Sequence, residues 1–108
     1  MPVDAITGRH LADETVEVTN TAAQLSALLT TAIDQKCIKV SFQNLAKSGE
    51  IFISMNSGVT SAEDVNGGWV LQPRDSVGFE WPKGDVENLY FISDLTSTFM
   101  KVWQEMTG

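Results

Sequence analysis

Residues 14–19, ETVEVT, alternate in polarity: Val16 and Val18 face one way, Thr15, Glu17 and Thr19 the other. A period of two marks a strand with one face buried. The rhythm returns in KCIKVSFQN, where Ile38, Val40 and Phe42 share a face, and in EIFISMN, where Ile51, Ile53 and Met55 do. LAKSG supplies turn residues between them, so residues 36–56 are expected to form a hairpin. SGVTSAEDVNGG has no apolar period and reads as a long surface loop. WVLQP is a short strand stopped by Pro73, followed by a turn over Pro73 to Ser76 and a strand that sets Val77, Phe79 and Trp81 on one face until Pro82 and Gly84 end it. ENLYFIS is apolar on both faces, which predicts a central strand.

Two segments satisfy competing periods. In TNTAAQLSALLTTAIDQKC, Leu25, Leu28, Leu29 and Ile33 follow helical spacing, and Thr21 with Gln24 can form a capping box. A helical stretch is therefore predicted over about 24–34, laid as an apolar plug across one end of the fold. In the tail, Leu95, Phe99, Val102, Trp103 and Met106 also match a helix, but Thr96, Ser97 and Thr98 are poor helix formers and the alternation around Lys101 suits a strand. A strand is the preferred reading of 95–106.

Six or seven short strands separated by turn signals predict an all-β fold, a small antiparallel β-sandwich or jelly roll with the plug at residues 24–34. At 108 residues the chain is the size of one domain, read as an amino-terminal arm over 1–13 and a sandwich over 14–108. No apolar run approaches the roughly 20 residues that would span a membrane. The first residues lack the basic start and apolar stretch of a secretory signal, so export by that route is not expected. Seven basic against fourteen acidic residues give a net charge of −7, which argues against a surface that tracks nucleic-acid phosphates. One Cys permits no internal disulfide.

Candidate chemistry is sparse. A cupin-type metal site needs several His ligands and the chain has one, His10, in a polar segment where solvation is the plain reading. Cys37 as a nucleophile would need a base beside it, and a packed strand residue is the simpler role. The pairs Asp13 with Glu14, Glu63 with Asp64 and Asp85 with Glu87 lack the ligand spacing of a calcium loop and read as surface charge. Gly67 and Gly68 are followed by Trp69 rather than Lys and Ser or Thr, so they form a turn and not a phosphate loop. No cofactor is expected, and the chain is read as a non-enzyme. Of the three Trp, Trp81 alternates with core positions, whereas Trp69 and Trp103 are freer to meet a partner.

The run of segments resembles the small β-sandwich structural proteins of tailed bacteriophage virions. The matching positions are Thr21, Ala22 and Leu25, then Gln43 and Asn44, Ile51 and Ile53, Val59 and Thr60, Gly68, Leu71 and Pro73, and Leu89, Tyr90 and Ile92. They span residues 15–104 and mark architecture rather than activity. Two departures stand out: PRDS replaces the Pro-Gly-Glu/Asp-Ser common at that turn, and SALLTTAIDQK is longer than the usual connection. The resemblance implies a capsid cement, staple or decoration protein that bridges major capsid protein subunits, as a homodimer by default, on the outer surface of a virion assembled in the host cytoplasm. Contact is expected through Ile6, Arg9, His10 and Leu11 of the arm, through Trp69 with the 57–68 loop, and through Trp103. The alternative is a tail or receptor module binding carbohydrate, with Trp69 or Tyr90 stacking on a sugar and Asp64 or Asn66 bonding its hydroxyls.

Overall fold

The computed structural model of the protein describes residues 9–60 and 69–106. In chain order its elements are β1 (Arg9–Thr19), β2 (Ala23–Gln24), α1 (Leu25–Leu28), β3 (Lys39–Asn44), β4 (Ile51–Ser54), β5 (Trp69–Leu71), β6 (Ser76–Phe79), α2 (Lys83–Glu87), β7 (Tyr90–Ser93) and β8 (Ser97–Met106). The strands form two antiparallel sheets, ordered β1-β8-β3-β6 and β2-β7-β4-β5. First pairs with last, β2 with β7, β3 with β6 and β4 with β5, as if one long hairpin had been rolled up; β3–β8 and β4–β7 contacts close the roll. This is the eight-stranded jelly roll.

Alternation places the core. Val16, Val18, Val40, Phe42, Phe79, Met100 and Val102 of the first sheet face Ile51, Ile53, Leu71 and Phe91 of the second, all buried. Phe42 crosses the interlayer to Phe91, with ring centroids 5.0 Å apart and planes tilted by 59°. Fully burying such a side chain stabilises the fold by about 1.5–3 kcal/mol. The double-sided β7 is central, as its composition predicts: Ile92 packs outward with Phe52, Val59, Ala22 and Tyr90 in a second cluster on the far face of its sheet. The tail is strand β8.

Residues 36–56 do not form a hairpin, because β3 and β4 belong to different sheets. Asn44, the last residue of β3 and fully buried, marks the crossing. Its Nδ2 donates to the carbonyls of Gly49 and Leu71, both at 3.0 Å, and its Oδ1 accepts from the Ala46 N–H at 3.0 Å. Gly49, at φ 95°, turns the chain into the second sheet. The positive φ favours Gly there, and a Cβ would also have to displace the exposed Leu95 side chain, whose Cδ1 would lie 2.4 Å away.

The helix predicted over 24–34 is a single turn, α1, and Leu29 is already extended at φ −78°, ψ 141°. No capping box forms: Gln24 makes no side-chain cap, and the Thr21 N–H turns back to Thr19 Oγ1 at 3.3 Å. Ile33, 2% exposed, instead reaches the core from an irregular strap. Three strap N–H groups are held by side chains of three other elements: Thr30 donates to Glu14 Oε2 at 2.9 Å, Ile33 to Glu87 Oε2 at 3.1 Å and Asp34 to Gln104 Oε1 at 3.0 Å. These acceptors replace the carbonyls a longer helix would have supplied. The apolar plug is thus present, with one turn of helix in it. Strand β1 begins at Arg9, so Arg9, His10, Ala12 and Asp13 of the arm are paired with β8. The short helix α2 lies where the sequence suggested only a break after Pro82.

Candidate interaction site

Strands β5 and β6 each sit at one end of their sheet's order, joined by a tight turn, so their free edges lie on the same side of the molecule. Pro73 and Arg74 are the turn's central residues, closed by the Asp75 N–H donating to the Gln72 carbonyl at 3.0 Å. Arg74 takes φ 70°, and Pro73 cannot, which makes this a type II turn with a non-glycine residue at its left-handed position. Arg74 N–H donates to the Asn44 carbonyl at 2.9 Å, so the turn is anchored to the sheet crossing.

Register then decides what the edge presents. Trp69 pairs with Ile53 and Leu71 with Ile51, both on the core face, while Val70 pairs with Phe52 on the outer face. At the margin of the sandwich a core-facing side chain has a partner on one side only, and Trp69 remains 51% exposed. Its ring meets Phe79 of β6 at a centroid distance of 5.4 Å and Trp81 at 6.0 Å, and Phe79 meets Trp81 at 4.8 Å, edge to face with planes inclined by 65°, 65° and 67°. Edge-to-face contacts of this kind contribute about 0.5–1.5 kcal/mol each beyond area burial. The three rings cluster at this margin, and about half of the Trp69 side chain stays in water. Val70, 37% exposed, extends the apolar surface outward.

Trp69 is therefore where the sequence placed it, at the accessible margin after the long loop. Trp81 is half-buried and packs against the core, as its alternation predicts, and also supports the Trp69 ring. Trp103 lies on the central strand β8, with Asp13 and Ser41 as cross-strand partners, and is only half-buried rather than free. On the same face Phe99 is 53% exposed, opposite the buried Met100 and Val102; it matched the helical spacing of the tail, and the strand alternation turns it outward. Arg9 and His10 occupy β1 positions opposite Met106 and Glu105, and Leu11 is half-buried at the register shift between His10 and Ala12. Ile6, Glu63, Asp64, Asn66, Gly67 and Gly68 lie outside the described residues, as does the 61–68 part of the loop. Its described start folds back, with Val59 buried against Phe52 and Ile92. Tyr90 packs in that same outer cluster, half-buried.

The two described carboxylate pairs diverge. Asp13 points to the sheet face, where Lys101 Nζ lies 3.8 Å away, while Glu14 turns to the strap. Asp85 is exposed and Glu87 binds the Ile33 N–H. Among the described residues no group of three or more His, Cys, Asp or Glu side chains is placed to hold a metal ion. No described helix is long and apolar enough to cross a membrane. Cys37 is half-buried and its Sγ donates to the Lys39 carbonyl at 3.2 Å. Burial pushes this thiol above its ordinary range; hydrogen bonds at Lys39 and Glu105 oppose the shift, and the charges of Asp34 and Glu105 add to it. A neutral thiol is a weak nucleophile.

What the surface offers is contact: a charge-free strand edge, an exposed indole braced by two rings, and a neighbouring valine. No protein-family model, curated protein or solved structure matches the chain.

Proposed function

We propose that the protein is a structural, non-catalytic component of a bacteriophage virion that cements or decorates the capsid by bridging major capsid protein subunits on its outer surface. The observation that carries this reading is the braced, half-exposed Trp69 on the free β5 edge of a jelly roll. Aromatic anchors held rigid by neighbours dominate protein interfaces, because little side-chain freedom is lost when they are covered. The jelly roll is a scaffold of capsid and sugar-binding domains alike, so the fold supports the reading by analogy only. The residues behind the phage resemblance also act together: Asn44, Leu71 and Pro73 meet at the sheet crossing and its turn. A net charge of −7 favours a place away from packaged DNA. A small subunit that binds only the assembled shell stabilises it by mass action, and bridging two shell subunits adds effective concentration.

Quantitative mass spectrometry of purified particles tests this first. A copy number of the same order as the shell protein supports cementing; a few copies per particle point to the tail, and absence ends the reading. Trp69→Ala should weaken attachment to empty shells about tenfold or more, the scale of an interface anchor.

A second reading, a tail or receptor module that binds carbohydrate, is favoured by one observation. The Trp69 and Trp81 rings stand 6.0 Å apart at 65°, an angular aromatic wall of the kind on which a sugar's apolar face stacks. A glycan-array signal lost in Trp69→Ala would select it.

A further inference from the structure

A subunit that bridges two others needs two contact surfaces, and the Trp69 margin supplies one. A second apolar patch lies away from it, at the end of the sandwich where β3 crosses to β4. Phe99 stands on the outer face of its sheet, 53% exposed, with Glu17 of β1 as its cross-strand partner. On its other side the Leu45 N–H donates to the Phe99 carbonyl at 3.0 Å, which brings the 45–50 loop against it. Leu95, 40% exposed, lies over Gly49 in the same loop. The core does not account for an open ring in the middle of a paired strand, because Met100 and Val102 fill it from the opposite face of β8. Ser97 and Lys101, the neighbours of Phe99 on its own face, are polar, as a solvated face requires.

The two patches face different ways. Trp69 stands at the open margin beside β6, whereas β8 lies two strands in from β6, about 10 Å across the sheet, and Phe99 points away from the sandwich. A partner seated on one leaves the other open.

We infer that Phe99 and Leu95 form the second shell contact, taken by an apolar recess fringed with Lys or Arg on a different shell subunit from the one that covers Trp69. It rests on the virion reading and gives that reading its second surface. Charge selects the occupant. Among the described residues, Glu17, Glu50 and Asp94 border the patch against the ammonium of Lys47, and Lys101 further along the strand is paired with Asp13 at 3.8 Å. The three carboxylates are held in place from within: Glu17 accepts from Ser97 Oγ, Glu50 from Gln72 Nε2 and Asp94 from the Glu50 N–H. Fixed negative charge around an apolar centre steers a cationic surface onto it and repels a second copy of this chain, which itself bears −7.

Such a contact loosens as salt screens the attraction. It also separates attachment from stabilisation. One patch suffices to hold the protein on a shell, whereas tying two shell subunits together takes both.

Empty shells freed of this protein, titrated with the full chain at low and high salt, provide the test. Co-sedimentation reads attachment, and the temperature at which the shell comes apart reads bridging. The wild-type chain should attach, raise that temperature and bind less tightly at high salt. Phe99→Thr should lower the apparent affinity about tenfold or more and, even at saturation, leave the disassembly temperature near that of bare shells, because the subunit is then held by Trp69 alone. Phe99→Leu, still apolar, should retain most of both effects. Glu17→Gln keeps an acceptor for Ser97 and removes the charge, so it should weaken attachment a few-fold and flatten its salt dependence. Leu95→Ser is the second disrupting variant should Phe99→Thr fail to fold, and the urea midpoint reports folding for each. A folded disrupting variant that attaches and stabilises shells as the wild type does, or attachment that tightens with salt, would overturn the inference and leave the virion reading standing. A wild-type chain that never attaches ends the virion reading, and this second contact with it.

Discussion

The Asn44 side-chain amide donates to the Leu71 carbonyl at 3.0 Å, and this buried bond joins the two sheets of the jelly roll. The same carboxamide holds Gly49 and Ala46, so one side chain fixes the point at which the chain leaves one layer for the other. Replacing it by Ala strands buried backbone groups at both layers.

Asn44→Ala is therefore expected to destabilise the protein by about 2–4 kcal/mol, since each buried group left unpaired costs about 1–3 kcal/mol. Asn44→Asp should be worse near neutral pH, because it sets a carboxylate against two carbonyl oxygens. Part of that loss should return as the pH falls and the acid is protonated. Urea unfolding at pH 7 and pH 4, followed by tryptophan fluorescence, reads both effects.

At the turn between β5 and β6, Arg74 sits at φ 70°, a conformation that costs a residue with a Cβ about 1–2 kcal/mol. Arg74→Gly removes this strain, and the added freedom of the unfolded chain takes back about 0.4–1 kcal/mol. The net expectation is a gain of about 0.5–1 kcal/mol, seen in thermal unfolding as a rise in Tm of a few degrees. A fall in Tm would mean that Arg74 has contacts which outweigh its backbone strain.

Much of this architecture is legible in the chain, and the failures have a common cause. Alternation locates strands such as β1, β3 and β8 and their core faces because each turns one side to the core, and Phe42 and Val102 obey it. Alternation is silent on which sheet a strand joins. KVSFQN and IFIS look the same whether they pair or cross, and the crossing is written only in Asn44, whose partner Leu71 lies 27 residues away. Leu25 to Ile33 fit a helical stripe, yet Ile33 reaches the core through an irregular strap, since Glu14, Glu87 and Gln104 satisfy its backbone from a distance. Trp69 was legible as accessible from its place beside the loop; its bracing by Phe79 and Trp81 depends on two sheet edges meeting, which local pattern cannot encode.

The Cys37 thiol is held above its ordinary value of 9.0, chiefly by burial. Alkylation by iodoacetamide should be slow at pH 8 in the folded protein and rise to the rate of a free thiol in urea. The same shift gives stability a defined dependence on pH. Below pH 9 the thiol is protonated in both folded and unfolded chains and contributes no slope. Above it the unfolded chain loses its proton first, so this contribution falls as the pH climbs through the folded value. Cys37→Ser should flatten that alkaline decline in urea titrations.

Ile33 and Ala27 separate the strap from the helix as the source of the plug's stability. Ile33 is 2% exposed and its N–H is held by Glu87 at 3.1 Å, so Ile33→Ala opens a cavity where the backbone is tied and can relax little. The expected cost is about 2–4 kcal/mol. Ala27 lies exposed in the single turn of α1, and Ala27→Gly should cost about 0.5–1 kcal/mol, the propensity difference alone. Glu87→Ala should leave the core filled but free the Ile33 amide, so that its hydrogen exchange speeds up without a matching loss of global stability. Were Ala27→Gly as damaging as Ile33→Ala, the segment would be anchored by its helix after all. The measured ratio of the two, in one urea series, decides which element secures that end of the sandwich.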